Sequence, residues 1–105
     1  MNKVQLTPQA VRDLAELKQY VAVELGNPSA AGKLLSRITR ELRILQHHPE
    51  AGPSIEAITG HPTDLRMLVC AKHIAIYRVN GSIVSVARII SARQDYMRVL
   101  FGDPE

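Results

Sequence analysis

The chain has one cysteine, no tryptophan and few aromatic side chains, namely Tyr20, Tyr77, Tyr96 and Phe101. A lone Cys70 cannot form an internal disulfide, and it excludes a zinc cluster built on cysteines. So few rings leave no row of stacking platforms for single-stranded nucleic acid. No apolar run approaches the roughly 18 residues that a membrane span needs. Met1–Ala10 also lacks the compact apolar stretch of a secretory signal, so a cytoplasmic protein without a membrane partner is expected. There is no Gly-rich phosphate loop, no HExxH and no Ser-His-Asp arrangement, and no cofactor is expected.

What remains is ordinary globular material: 105 residues, 46% hydrophobic and 22% charged. That length fits a single domain spanning 1–105. The net charge of +3 is unevenly placed. Residues 1–65 are balanced, whereas 66–98 carry Arg66, Lys72, Arg78, Arg88, Arg93 and Arg98 against Asp95 alone. The second half therefore concentrates positive potential, either as a solvated sheet face or as a surface that steers an anionic partner.

Val4–Leu6 reads as a short strand. Thr7-Pro8 then supplies an N-cap with proline at the first helical position. Val11, Leu14, Leu17, Val21 and Leu25 recur at three- and four-residue steps and predict one buried stripe. Gly26 ends that helix and Asn27-Pro28 opens the next, whose apolar face is Ala31, Leu34, Leu35, Ile38, Leu42 and Leu45. Pro49 stops it near His48, so the two helices form a hairpin. Residues 49–64 hold three of the six prolines and read as a loop. The period then shortens: Arg66–Cys70, Ile74–Val79 and Ile83–Ser91 read as strands, with Asn80-Gly81 predicting a type I′ turn. A last helix is expected from Asp95 through Phe101. The order β-α-α-β-β-β-α implies an α+β fold, an antiparallel sheet with the N-terminal helical hairpin packed on one face.

Several phrases in this order carry a resemblance. They are L-T-P-Q-A-V-R-D-L at Leu6–Leu14, G-N-P-S-A-A at Gly26–Ala31 and H-P-E-A-G-P-S at His48–Ser54. D-L-R-M-L-V at Asp64–Val69, H-I-A-I-Y-R-V at His73–Val79 and R-I-I-S-A-R-Q-D-Y at Arg88–Tyr96 complete the set. Together they cover nearly the whole chain, which resembles the RelE/ParE plasmid-stabilisation toxins of type II toxin–antitoxin systems. The tight G-N-P turn and the L-T-P-Q-A opening resemble the ParE-like side more closely. The resemblance implies a toxin neutralised by a cognate antitoxin in a hetero-oligomer, with DNA gyrase as the target. RelE-like members instead cut ribosome-bound messenger RNA, which is the alternative.

Metal-free RNA cleavage needs a base for the 2′-hydroxyl, cations for the phosphorane and an acid for the leaving oxygen. On that reading the candidates are Arg66, Lys72, His73, Arg88, Arg93 and Tyr96. In many relatives the place of Ser91 is a histidine, and serine exchanges no proton near neutral pH. That departure, with Lys72 the only lysine after residue 65, favours a protein that acts by binding over an enzyme. The family's C-terminal region implies partner contacts at Arg93, Tyr96, Met97, Leu100 and Phe101. Arg88 also reads as a partly buried arginine on one strand face with Val84, Val86 and Ile90, held by Asp95 or Asp64. Tyr77 reads as core, Cys70 as an inert core thiol, and His47 and His48 as a helix C-terminus rather than a metal site.

Overall fold

The computed structural model describes residues 1–92 and 96–102, leaving out the side chains of Tyr96 and Met97. The expected cap at Asp95 lies outside the described residues. Strand β1 (Lys3–Leu6) leads to Thr7, whose hydroxyl accepts from the Ala10 N–H at 3.2 Å and opens helix α1 (Pro8–Gln19). The helix continues through a π-helical turn, Tyr20–Glu24, and Gly26 beyond it adopts φ +64°. Asn27 accepts from the Ala30 N–H at 3.0 Å and opens α2 (Pro28–Leu42), which tightens into a 3₁₀ turn over Arg43–Gln46. Both cap-plus-proline starts are thus read correctly from sequence. The loop after Pro49 contains a short helix that the periodicity did not predict, α3 (Ile55–Thr59), capped by Ser54 and ended by Gly60 at φ +74°.

Strands β2 (Arg66–Cys70), β3 (His73–Asn80) and β4 (Ile83–Ser91) form an antiparallel meander. The sheet order is β1-β4-β3-β2. β1 lies parallel to β4, from Lys3 opposite Ile83 to Leu6 opposite Val86, so the sheet is mixed rather than wholly antiparallel. Helix α4 (Tyr96–Phe101) closes the described chain.

Two turns differ from expectation. Asn80 pairs with Ile83, so the β3–β4 turn is Gly81-Ser82, and among its residues Gly81 alone has positive φ, +62°. Glycine at the first central position fits a type II′ turn, not the predicted type I′. The pair with positive φ at both central residues is instead Ala71-Lys72 in the β2–β3 hairpin, at +51° and +66°.

Side chains alternate across the sheet and build two cores. On the helical-hairpin side Ala10, Ile38, Leu42 and Leu45 pack on Cys70, Ala75, Tyr77, Val84, Val86 and Ile89. On the other side Ile55 and Leu65 pack on Ile74, Ile76 and Ile90, with Val99, Leu100 and Phe101 of α4 against them. The α1 stripe is displaced from its predicted line. Ala10 and Asp13 are buried, while Val11 and Leu25 are more than half exposed. A small residue and a charged one hold the buried positions, and the charged one does not register in an apolar count.

Candidate functional site

Beyond Leu6 the strand β1 ends, and β4 runs on with backbone groups that no strand pairs. Side chains of the α1 segment take over this edge. The Thr7 hydroxyl donates to the Ala87 carbonyl at 3.0 Å, and the Asp13 carboxylate accepts from the Ile89 N–H at 2.9 Å. Arg88 closes on the same carboxylate with Nε at 2.9 Å and Nη2 at 3.2 Å, and Gln9 donates to it at 3.0 Å. A bulge makes this possible: Ile76 faces Arg88 but Tyr77 faces Val86, which leaves Ala87 extra in β4. The predicted alternation Val84, Val86, Arg88, Ile90 therefore breaks, with Val86 and Ile89 in one core and Ile90 in the other. Arg88 is indeed a partly buried arginine held by a carboxylate. Its partner is Asp13, however, and Asp64 instead pairs with Arg78 at 3.2 Å on the surface.

Beside this anchor lies an open groove of about 770 Å³ lined by Leu17, Tyr20, Val21, Leu34, Lys72 and His73. A smaller adjoining hollow of about 230 Å³ shares Leu17, Tyr20, His73 and Ser91, and continues to Asp13, Glu16 and Arg88. His73 stands directly opposite Ser91 in the β3–β4 ladder, and its ring Nδ1 lies 3.1 Å from the Ala71 carbonyl. The Lys72 carbonyl accepts from the Ala92 N–H at 3.1 Å. The Ala71-Lys72 turn is thereby tied at both carbonyls, which holds two left-handed residues without a glycine in place.

The structure brings some predicted residues together and separates others. Lys72 and Arg88 line adjoining parts of one groove, with His73 between them. Arg66 begins β2 at the far end from Lys72 and faces Tyr77 across the ladder; its Nε is buried with no hydrogen-bond partner. Leu100 and Phe101 are half-buried against the second core, and the Phe101 ring meets His61 with centroids 3.9 Å apart. Arg93 lies outside the described residues, as do the side chains of Tyr96 and Met97. Tyr77 is fully buried, and its hydroxyl donates to the Pro49 carbonyl at 2.8 Å and accepts from the Gly52 N–H at 2.9 Å. Burial pushes its pKa up, partly opposed by the Gly52 hydrogen bond and the Arg66 charge. Sequence reasoning missed Asp13 and Tyr20. The i, i+4 step from Gln9 to Asp13 was the available signal, whereas nothing local marked Tyr20 as a groove residue.

Among the described residues no group of His, Cys, Asp and Glu is placed to hold a metal, and no helix is long and apolar enough to cross a membrane.

A helical hairpin on one face of a four-stranded mixed sheet, with a short C-terminal helix on the other, is the fold of RelE/ParE-type toxins. The match is specific: the family model for the ParE toxin of the type II toxin–antitoxin system parDE covers residues 4–96. The chain belongs to the ParE toxin family. The solved chromosomal ParDE system from P. aeruginosa contains a chain of 24% identity that superimposes with a TM-score of 0.72, covering 87% of this chain and 96% of that one. A chain of the E. coli DinJ-YafQ complex gives a TM-score of 0.43 at 15% identity, over 97% of this chain and 100% of that one. No curated protein matches.

Proposed function

We propose that this ParE-family chain is a cytoplasmic toxin that binds DNA gyrase and stalls its supercoiling cycle, and that a cognate antitoxin neutralises it in a hetero-oligomer. The observation that carries this reading is the family match over residues 4–96. The site geometry agrees with binding rather than cleavage. Arg88 is committed to Asp13, and Arg66 lies at the other end of β2 from Lys72. A phosphorane would therefore find Lys72 as the one groove cation without a carboxylate on it among the described residues. The target contacts are assigned to Arg93, Tyr96, Met97, Leu100 and Phe101.

One observation favours the ribonuclease reading. His73 stands across the ladder from Ser91, so an imidazole occupies the groove although position 91 lacks one. The two readings separate in parallel assays of the purified chain, gyrase supercoiling beside cleavage of ribosome-bound messenger. Inhibition of supercoiling without cleavage is expected. Codon-specific cleavage that disappears in His73→Ala would instead make this chain an enzyme.

A further inference from the structure

The two arms of the helical hairpin carry opposite charge. From Pro8 to Glu24 the first holds Arg12 and Lys18 against Asp13, Glu16 and Glu24. From Pro28 to Gln46 the second holds Lys33, Arg37, Arg40 and Arg43 against Glu41 alone. All four of these cations are exposed. Their steps of four, three and three residues line them up on the outer side of α2 and its 3₁₀ end, away from Ile38 and Leu42, which pack on the sheet. At 1.5 Å per residue the stripe is about 15 Å long. Elsewhere such charges are taken up, Arg78 by Asp64 and Arg88 by Asp13. On this stripe only Arg37 has a carboxylate, Glu41 at 3.4 Å in an exposed pair that contributes little. Lys33, Arg40 and Arg43 make no hydrogen bond or ion pair among the described residues. Like charges three and four residues apart repel, so the free helix carries a cost that an anionic partner would remove.

The surroundings of the stripe select the class of anion. Arg40 and Arg43 wall an open hollow of about 450 Å³ with Leu35, Ser36 and Thr39. Two guanidinium groups and two hydroxyls, with no carboxylate among them, are the donors that phosphate oxygens accept from. Of the large exposed apolar side chains only Ile44 belongs to this segment, so the stripe lacks the apolar centre of a protein interface. No aromatic ring lies between Pro28 and Gln46, which leaves the bases of a single strand nothing to stack on. Phosphates of one B-DNA strand follow at about 3.4 Å along the axis, so the stripe meets roughly four of them. The B-DNA major groove is wide enough for a helix beside that backbone, whereas the A-form RNA groove is too narrow for side chains.

We infer that the outer face of α2 and its 3₁₀ end is a contact surface for duplex DNA, with Lys33, Arg37, Arg40 and Arg43 lying along one phosphate backbone without reading sequence. The inference stands apart from the gyrase reading, because the test contains no gyrase. A short labelled duplex DNA of arbitrary sequence is titrated with the purified full chain, and fluorescence anisotropy is read at several salt concentrations. The logarithm of the affinity should fall against the logarithm of salt with a slope between about −3 and −4, near 0.9 for each phosphate neutralised. Arg40→Ala/Arg43→Ala should bind roughly tenfold or more weakly and make the slope shallower by about 2. Its melting temperature should not fall, since both side chains are exposed and unpaired. Arg12→Ala/Lys18→Ala removes the same charge from the first arm of the hairpin and should keep the wild-type slope, which separates the stripe from net charge. Absence of duplex binding at low salt, a slope unchanged in Arg40→Ala/Arg43→Ala, or equal losses in the two double variants would overturn the inference. So would a single strand or an RNA duplex that binds as tightly as the DNA duplex. A chain that binds DNA in this way yet leaves supercoiling uninhibited would sink the gyrase reading alone, so the two failures are distinguishable.

Discussion

Asp13 joins helix α1 to strand β4 through one side chain. It is 8% exposed, and it satisfies the Ile89 N–H, two nitrogens of Arg88 and the Gln9 amide at once. Asp13→Ala strips β4 of an edge partner and leaves the guanidinium half-covered, so a loss of about 3 kcal/mol is expected. Asp13→Asn keeps an oxygen for the Ile89 N–H and should lose less. Arg88→Ala should fall between them, because Arg88 is 30% exposed at its side chain and water screens part of the pair. Urea unfolding of the three variants checks the ranking, and equal midpoints would refute it. The arginine was legible in the sequence as a held side chain, but its partner was not. A carboxylate on an apolar helix stripe looks like an interruption until a strand 75 residues away comes to meet it. Cys70 gives a pH test. Burial, with the Glu41 charge adding to it, pushes its thiol from 9.0 up to about 11. The folded state thus holds the proton longer than the unfolded chain does, and this stability is complete below about pH 9 and lost by about pH 11. Wild type should accordingly lose on the order of 2–3 kcal/mol relative to Cys70→Ala across that window. Parallel denaturation curves in the two proteins at all pH values would refute it.

At the scale of elements, the helices were legible because their starts are chemical. A Thr or Asn oxygen followed by proline satisfies the first free N–H groups wherever it stands. The turns were not, because each depends on the register that the sheet imposes. Asn80-Gly81 is a good type I′ pair, yet the ladder places Asn80 in the strand and moves the turn one residue on. Ala71-Lys72 carries no turn signal, and its geometry is held from outside by Ala92 and His73. Replacing it with Asn-Gly should relieve about 1–2 kcal/mol of left-handed strain per residue. The double variant Ala71→Asn/Lys72→Gly is therefore expected to melt several degrees higher than wild type. A lower melting temperature would mean that the two native side chains stabilise the hairpin by more than their backbone strain costs. The loop before β2 hid a similar dependence. Gly52 has no room for a Cβ, which would run into the Met67 carbonyl and sit 2.9 Å from the Tyr77 hydroxyl. Tyr77→Phe should cost about 1–3 kcal/mol by stranding the Gly52 N–H and the Pro49 carbonyl.

In the whole molecule the sheet is covered unequally. Two long helices shield one face, while the other depends on α3, a loop and the six residues of α4. The C-terminal segment therefore has two duties. Val99, Leu100 and Phe101 close the second core, and the same stretch carries the proposed contacts with gyrase. Sequence could suggest the second duty by resemblance but not the first, since a short apolar tail looks alike whether it covers a core or a partner. The two separate by where stability and activity are lost together. Leu100→Ala removes half-buried apolar surface from a five-residue cluster, and at about 25 cal/mol per Å² a loss of roughly 1–2 kcal/mol is expected. Inhibition of supercoiling should fall in this variant by more than the unfolded fraction accounts for, and cooling should restore only part of it. Arg93→Ala should leave the melting temperature unchanged and still abolish inhibition, because the role proposed for Arg93 is a contact with the target. Thermal melts and supercoiling assays on the same preparations make the comparison direct. If folded Leu100→Ala or Arg93→Ala inhibits as wild type does, the target surface is not the C-terminal segment.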